Sequence, residues 1–197
     1  MSNIYTYKIG DSLYINLTNK CSAACTFCVR NNGDIFGHKL WLDIEPSIDQ
    51  IIKEIKIHAK LSSIKEIVFC GFGEPTYRID SILKIAAFIK TLDIPTRLDT
   101  NGHGNLINSR DIVPDLAGAI DAVSVSLNAP NKDRYNELVK TIFENGYEKM
   151  LQFIKACVAL NIKTIATVVD VLTKEEKLEC EKLAKDLGAE FRIRSAI

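Results

Sequence analysis

The stretch SLYINLTNKCSAACTFC, residues 12–28, places three cysteines at spacings of four and then three, directly after an apolar run that reads as a strand. Gly10 and Asp11 precede it and turn the chain out of an edge ribbon over Ile4 to Ile9. Cys21, Cys25 and Cys28 lie in a loop, where no apolar period absorbs them. They hold half of the six cysteines in a chain of 197 residues. A chain of that length buries a continuous core without disulfides or a structural metal, so the thiols are not needed as staples. The amino-terminal MSNIYTYKIGD lacks the charged and apolar regions of a secretory leader, and no run approaches the ~20 apolar residues that cross a bilayer. A cytoplasmic location and no membrane partner are expected. Disulfides rarely persist there, which turns clustered cysteines toward metal or redox chemistry. With 25 basic and 25 acidic residues and no Lys/Arg run interleaved with aromatics, a nucleic-acid partner is not expected.

Outward from that loop, helical and strand patterns alternate. Pro46 opens a helix whose Ile48, Ile51, Ile52 and Ile55 share one face. EIVFCG (66–71) is a buried strand ending in glycine, and Ile79, Ile82, Leu83 and Ala86 repeat the helical stripe. TRLDT (96–100) is the third strand, with a short helix expected over Ile107 to Leu116, near whose end Pro114 falls. AVSVSL (122–127) is the fourth. Tyr135, Leu138, Val139 and Ile142 mark one helix, and Met150, Phe153, Ile154 and Cys157 another. KTIATVV (163–169) is the fifth strand. A last helix, striped by Cys180, Leu183, Ala184 and Leu187, ends near Gly188 before a terminal strand at FRIR (191–194). This order predicts an α/β fold with right-handed crossovers and a parallel sheet, as one domain over residues 1–197. Six strands fit either an open doubly wound sheet or an incomplete barrel. In both, chemistry collects at the carboxyl ends of the strands.

Cys157 and Cys180 sit on helical stripes and read as small core hydrophobes. Cys70 ends the second strand and could face the mouth of the sheet. Packing does not account for the three loop cysteines, which points to metal or redox chemistry. Structural zinc takes four closed ligands, and neither a second CxxC nor a His pair is near, His38 being the one histidine close by. Three thiolates on a cubane cluster leave one iron open to a further ligand. A zinc module and an iron-sulfur electron carrier stay as rival readings.

CSAACTFC resembles the CxxxCxΦC loop of the radical S-adenosylmethionine (SAM) superfamily, with Phe27 in the aromatic slot. The resemblance implies a 4Fe-4S cluster on Cys21, Cys25 and Cys28, whose fourth iron takes the amino and carboxylate groups of SAM. GFGEP (71–75), ending the second strand, resembles the family's GGEP segment, with Phe72 in place of its second glycine. Gly71 and Gly73 would let backbone approach a ligand, and Glu74 would pair with the α-ammonium of SAM. LDTNG (98–102) looks like the segment by which glycyl-radical-enzyme activases bind a monovalent cation. That likeness makes Asp99 and Thr100 polar ligand candidates and Asn101 a ribose or loop-fixing candidate. SLN places Ser126 and Asn128 where relatives contact SAM, although the activases carry Asp and Lys there. ATVVD (166–170) resembles the strand flanking the adenine, so Val168 and Val169 are candidates for an apolar wall, with at least one of the two expected in the core.

Together these likenesses imply a partial (β/α)6 barrel with cluster and SAM at its mouth. The implied reaction is reductive cleavage of SAM to a 5′-deoxyadenosyl radical that abstracts hydrogen from a substrate. A low-potential donor of flavodoxin or ferredoxin type is the implied partner. Over the whole length the chain is most similar to the small TatD-associated radical SAM group, through FCGFGEP and VSLNAP. Deazaguanine-forming carboxylate synthases continue Asp-Thr after the last cysteine, where this chain has Val29 and Arg30. With few residues left to close the barrel mouth, a large substrate, protein or peptide, or a partner is expected to complete it. Arg30, His38, Trp41 and Arg192 or Arg194 are candidates to meet that substrate.

Overall fold

The computed structural model describes residues 3–32, 39–61 and 63–195, and its seven strands join in chain order into one sheet. β1 (Thr6–Ile9) turns through Gly10, at φ 59°, and runs antiparallel to β2 (Ser12–Ile15). Every later neighbour is parallel: β3 (Glu66–Phe69), β4 (Thr96–Thr100), β5 (Ala122–Ser126), β6 (Lys163–Val169) and β7 (Glu190–Arg194). The intervening helices are α1 (Ile48–Leu61), α2 (Ile79–Lys90), α3 (Gly104–Ile107), α4 (Val113–Leu116), α5 (Lys132–Val139), α6 (Gly146–Ala159) and α7 (Lys174–Asp186). A doubly wound sheet reverses its strand order at a switch point. This one never does, so the incomplete barrel is the alternative the chain adopts, with β1 added as an antiparallel edge.

Alternation along the strands sorts their side chains between two faces. Leu13, Ile15, Ile67, Phe69, Leu98, Val123, Val125 and Val168 face the helices, where Ile51, Ile55, Ile82, Ile85, Phe153 and Ile154 meet them in one buried core. Each such side chain contributes roughly 1.5–3 kcal/mol by leaving water. Cys157 and Cys180 are fully buried in that core, as their helical stripes predict. The other face carries Arg97 and Asp99 from β4, Ser124 and Ser126 from β5, Thr167 from β6 and Arg194 from β7, by the parallel register. That face is polar. A parallel sheet between two helix layers would be apolar on both sides.

Three boundaries differ from the sequence reading. The first helix is capped by Ser47, whose Oγ accepts from the Gln50 N–H while Gln50 Oε1 accepts from the Ser47 N–H, so Pro46 lies outside it. The helix expected over Ile107 to Leu116 is two single turns. Asn105 Oδ1 accepts from Ile112 N and Asp111 Oδ1 from Val113 N, and Pro114 opens α4 rather than ending a helix. Ile142 is 71% exposed, because α5 stops at Lys140 in the left-handed region, φ 48°.

Candidate functional site

The loop after β2 is tied to a distant part of the chain. Helix α5 ends with carbonyls that no longer have partners inside the helix. The cysteine loop supplies donors for them: Thr26 N donates to Leu138 O at 2.8 Å, and Ala24 N to Val139 O at 3.1 Å. Ile142 N donates back to Ser22 O at 3.0 Å, and Ala23 bridges Thr141. Between these ties Cys21, Cys25 and Cys28 are half-buried and unbridged, and all three line one cavity at the carboxyl ends of the strands.

GFGEP closes the next side. A Cβ on Gly73 would stand 2.3 Å from Thr18 O and 2.5 Å from Lys20 O, and one on Gly71 2.1 Å from Asn16 Oδ1. The glycines therefore make room for the chain's own segment from Asn16 to Lys20, and both also line the cavity, where the sequence reading has them admit a ligand. Phe72 packs with Tyr7 and Leu40 and also lines the cavity. Glu74 N donates to Lys20 O at 2.8 Å, which fastens the two loops together.

Glu74 is 3% exposed and heavily bonded. Its Oε1 accepts from Thr76 N, Thr76 Oγ1 and Thr100 Oγ1, and its Oε2 from Asn101 N at 2.7 Å. Burial raises its carboxyl, and these donors oppose the rise. Thr100 thus positions Glu74. Asn101 fixes loops: Nδ2 donates to Ser22 Oγ at 2.9 Å and Oδ1 accepts from His103 N at 3.0 Å. Asp99 pairs with Arg97, which Glu66 also holds at 2.7 Å; burial raises the Asp99 carboxyl against the pull of Arg97 and Arg194.

The remaining candidates divide. Phe27, Gly71, Gly73, Glu74, Asp99, Thr100, Asn101, Ser126 and Asn128 line the cavity with the three cysteines. Asn128 is 5% exposed at φ 58°, and its Oδ1 is buried without a partner among the described residues. Val168 is the exception. It is fully buried in the helix-side core, and Val169 lines the cavity instead, since successive strand residues face opposite ways. Cys70 and Arg194 line the cavity, whereas Arg192 lies in a groove at the amino ends of the strands. Trp41 is 60% exposed on the outer side of the cysteine loop, and His38 falls outside the described residues.

His103 is a residue the sequence reading missed. Fully buried, it bonds Ser22 Oγ through Nδ1 and Tyr135 Oη through Nε2, each at 3.0 Å, joining the cysteine loop, the end of β4 and α5. Burial holds its imidazole down to about 4, so it is neutral. Its place directly after the Asn-Gly turn was the available signal. Arg30 is the other addition to detail: its Nε donates to Cys28 Sγ at 3.4 Å, and its guanidinium reaches Asn19 O and Ala23 O.

Among the described residues no group of three Cys, His, Asp or Glu is close enough to hold a single metal ion. The donor set suits a cluster better. A cubane takes each thiolate on a different iron, so its ligands stand farther apart than those of one ion. Asn101 Nδ2 at 3.9 Å from Cys21 Sγ, with Arg30 on Cys28, supplies the donors that anionic sulfur wants. Burial raises the Cys21 and Cys25 thiols, Cys25 to about 12, so a cluster held there would have to displace their protons.

Residues 15–187 match the family model described as the radical SAM superfamily. The chain is 31% identical over 186 residues to a GTP 3′,8-cyclase of Clostridium perfringens, covering 93% of this chain and 54% of that protein. It is 29% identical over 156 residues to a probable dual-specificity RNA methyltransferase RlmN of Caldanaerobacter subterraneus, covering 77% of this chain and 42% of that one. The chain thus spans about half the length of the curated relatives it matches. Among solved structures, Streptococcus suis SuiB bound to S-adenosylmethionine superposes with a TM-score of 0.72 at 17% identity, over 95% of this chain and 41% of that one. SuiB bound to its precursor peptide SuiA gives 0.73, also at 17% identity and over 95% of this chain, with 39% of SuiB covered. Three cysteines, a glycine-glutamate loop and the polar ends of successive strands, gathered in a single cavity over nearly the whole of the matched sequence, have one common explanation: the chain belongs to the radical SAM superfamily.

Proposed function

We propose that this chain is an enzyme that binds a 4Fe-4S cluster through Cys21, Cys25 and Cys28, and binds SAM between that cluster and Glu74. The cavity shared by the cysteine loop and the ends of β3, β4 and β5 carries the reading. Cluster and SAM, when bound, supply one electron and the 5′-deoxyadenosyl radical that takes a hydrogen atom from substrate. The chain's own residues do the holding. Glu74 Oε2 has one bonded donor and keeps acceptor capacity for an ammonium group. Asn128 offers its unpartnered oxygen to a hydroxyl or amine. Val169 and Phe27 supply apolar surface, and Ser126 a hydroxyl.

Electrons must enter from outside that cavity. On the outer side of the loop, Arg30, Lys140 and Trp41 line a groove against Cys25 and Cys28. Its positive rim suits an acidic one-electron donor of flavodoxin or ferredoxin type. The likeness to the TatD-associated group stands on FCGFGEP and VSLNAP, and a protein or peptide substrate remains part of this reading.

Anaerobic reconstitution with iron and sulfide, followed by dithionite and SAM, tests the proposal. Formation of 5′-deoxyadenosine, abolished by Cys→Ser at any of the three positions, is the expected result. A redox-active cluster that leaves SAM intact would make the protein an electron carrier, and one tightly held zinc would make it a structural module.

A further inference from the structure

The polar face of the sheet holds two arginines in unlike settings. Arg97 is saturated: Glu66 and Asp99 both pair with it. Arg194 is not. Its backbone is anchored, since Asp170 N donates to Arg194 O at 2.8 Å, and its side chain lines the cavity of the three cysteines. One Nη donates to Ser126 Oγ at 3.1 Å, while Nε is buried with no acceptor among the described residues. A guanidinium is always charged and offers a planar fork of donors matched to two oxygens of one oxyanion. A desolvated, unpaired N–H on a guanidinium that lines a cavity is costly, and a ligand oxyanion that drew the fork toward itself would relieve that cost.

Sheet order indicates which ligand. The cluster loop follows β2, and Arg194 ends β7, the opposite edge of the sheet. Between them stands the carboxylate Glu74, which suits the cationic ammonium of SAM, while Asp99 is already held by Arg97 and feels the charge of Arg194. The anion meant for Arg194 therefore belongs beyond SAM. Resting on the reading of this cavity as the SAM site, we infer that Arg194 is a specificity residue that binds a carboxylate or phosphate of the hydrogen-donating substrate, with Ser126 holding the guanidinium in place.

Cluster-loaded protein, handled anaerobically, is titrated calorimetrically with inorganic phosphate and with acetate, with and without saturating SAM. At least one anion should bind in the presence of SAM. Arg194→Gln should weaken that binding by about tenfold or more and leave SAM affinity unchanged. Arg192→Gln, altered in the groove at the other end of the sheet, should bind as the parent does. If SAM expels the anion and Arg194→Gln weakens SAM itself, the arginine serves the SAM carboxylate and the inference fails. It also fails if neither anion binds, or if binding is indifferent to residue 194. Absence of 5′-deoxyadenosine from the parent protein would instead sink the enzyme reading, and the anion titration would still report on Arg194 independently.

Discussion

A methyl group on Gly73 would meet two carbonyl oxygens of the cysteine loop, neither of them on a flexible side chain. Gly73→Ala must therefore displace the backbone that carries Cys21, at a cost of roughly 1–3 kcal/mol. Iron and sulfide content per chain after reconstitution should fall well below that of the parent, and the urea midpoint should drop with it. Glu74→Gln makes a complementary case. Every neighbour of that carboxylate is a donor, and an amide would set its own N–H groups against one of them, leaving a buried donor unmet at about 1–3 kcal/mol. Thermal melting should shift down by several degrees, and 5′-deoxyadenosine should vanish even where the cluster loads normally. The residue types of this loop were legible from spacing alone; their reasons were not. A string of letters places Gly71 and Gly73 beside a ligand as readily as beside Asn16 and Thr18, because only the folded chain brings those residues opposite.

Helices and strands were read most securely where periodicity is strong. All seven strands and the stripes of α1, α2, α6 and α7 lie where the pattern puts them. Failures fell where side chains compete with the backbone for its hydrogen bonds, as Asn105 and Asp111 do between α3 and α4. Within β6 the error was one of phase. Two adjacent valines are equivalent in composition, and only the neighbouring register decides that Val168 faces the helices. The pair gives a clean test. Val168→Ala should lower unfolding stability by about 1–3 kcal/mol, the range for emptying part of a core site, with SAM affinity unchanged. Val169→Ala should do the reverse, weakening SAM while the urea midpoint holds. Exchanged effects, with Val169→Ala lowering stability and Val168→Ala weakening SAM, would mean that β6 has been assigned the wrong face.

For the molecule as a whole, His103 makes stability a function of pH. Its imidazole titrates at about 4 when folded, against an ordinary 6.5, so the unfolded chain binds the proton more readily. The stability it contributes is complete above about pH 6.5 and drains away as pH falls toward 4, by on the order of 3 kcal/mol in all. Glu74 and Asp99, raised by burial, act with the opposite sign. They are common to parent and variant, so the difference isolates the histidine. His103→Asn should cost stability at pH 7 and flatten the loss between pH 6.5 and 4 in urea titrations. A variant curve parallel to the parent's would show that the imidazole takes up its proton as readily in the folded protein as in the unfolded chain.

The bonds from the cysteine loop to Leu138, Val139 and Thr141 also set a timetable. Because Thr141 and Ser22 are 119 positions apart, a ribosome must reach Thr141 before the three thiols can be held still. Until then they travel on a nascent segment open to oxygen and to stray copper or zinc. If these thiols hold the proposed cluster, its assembly has to wait until α5 has folded against the loop, and slow synthesis between those two points should leave more chains with oxidised thiols or the wrong metal.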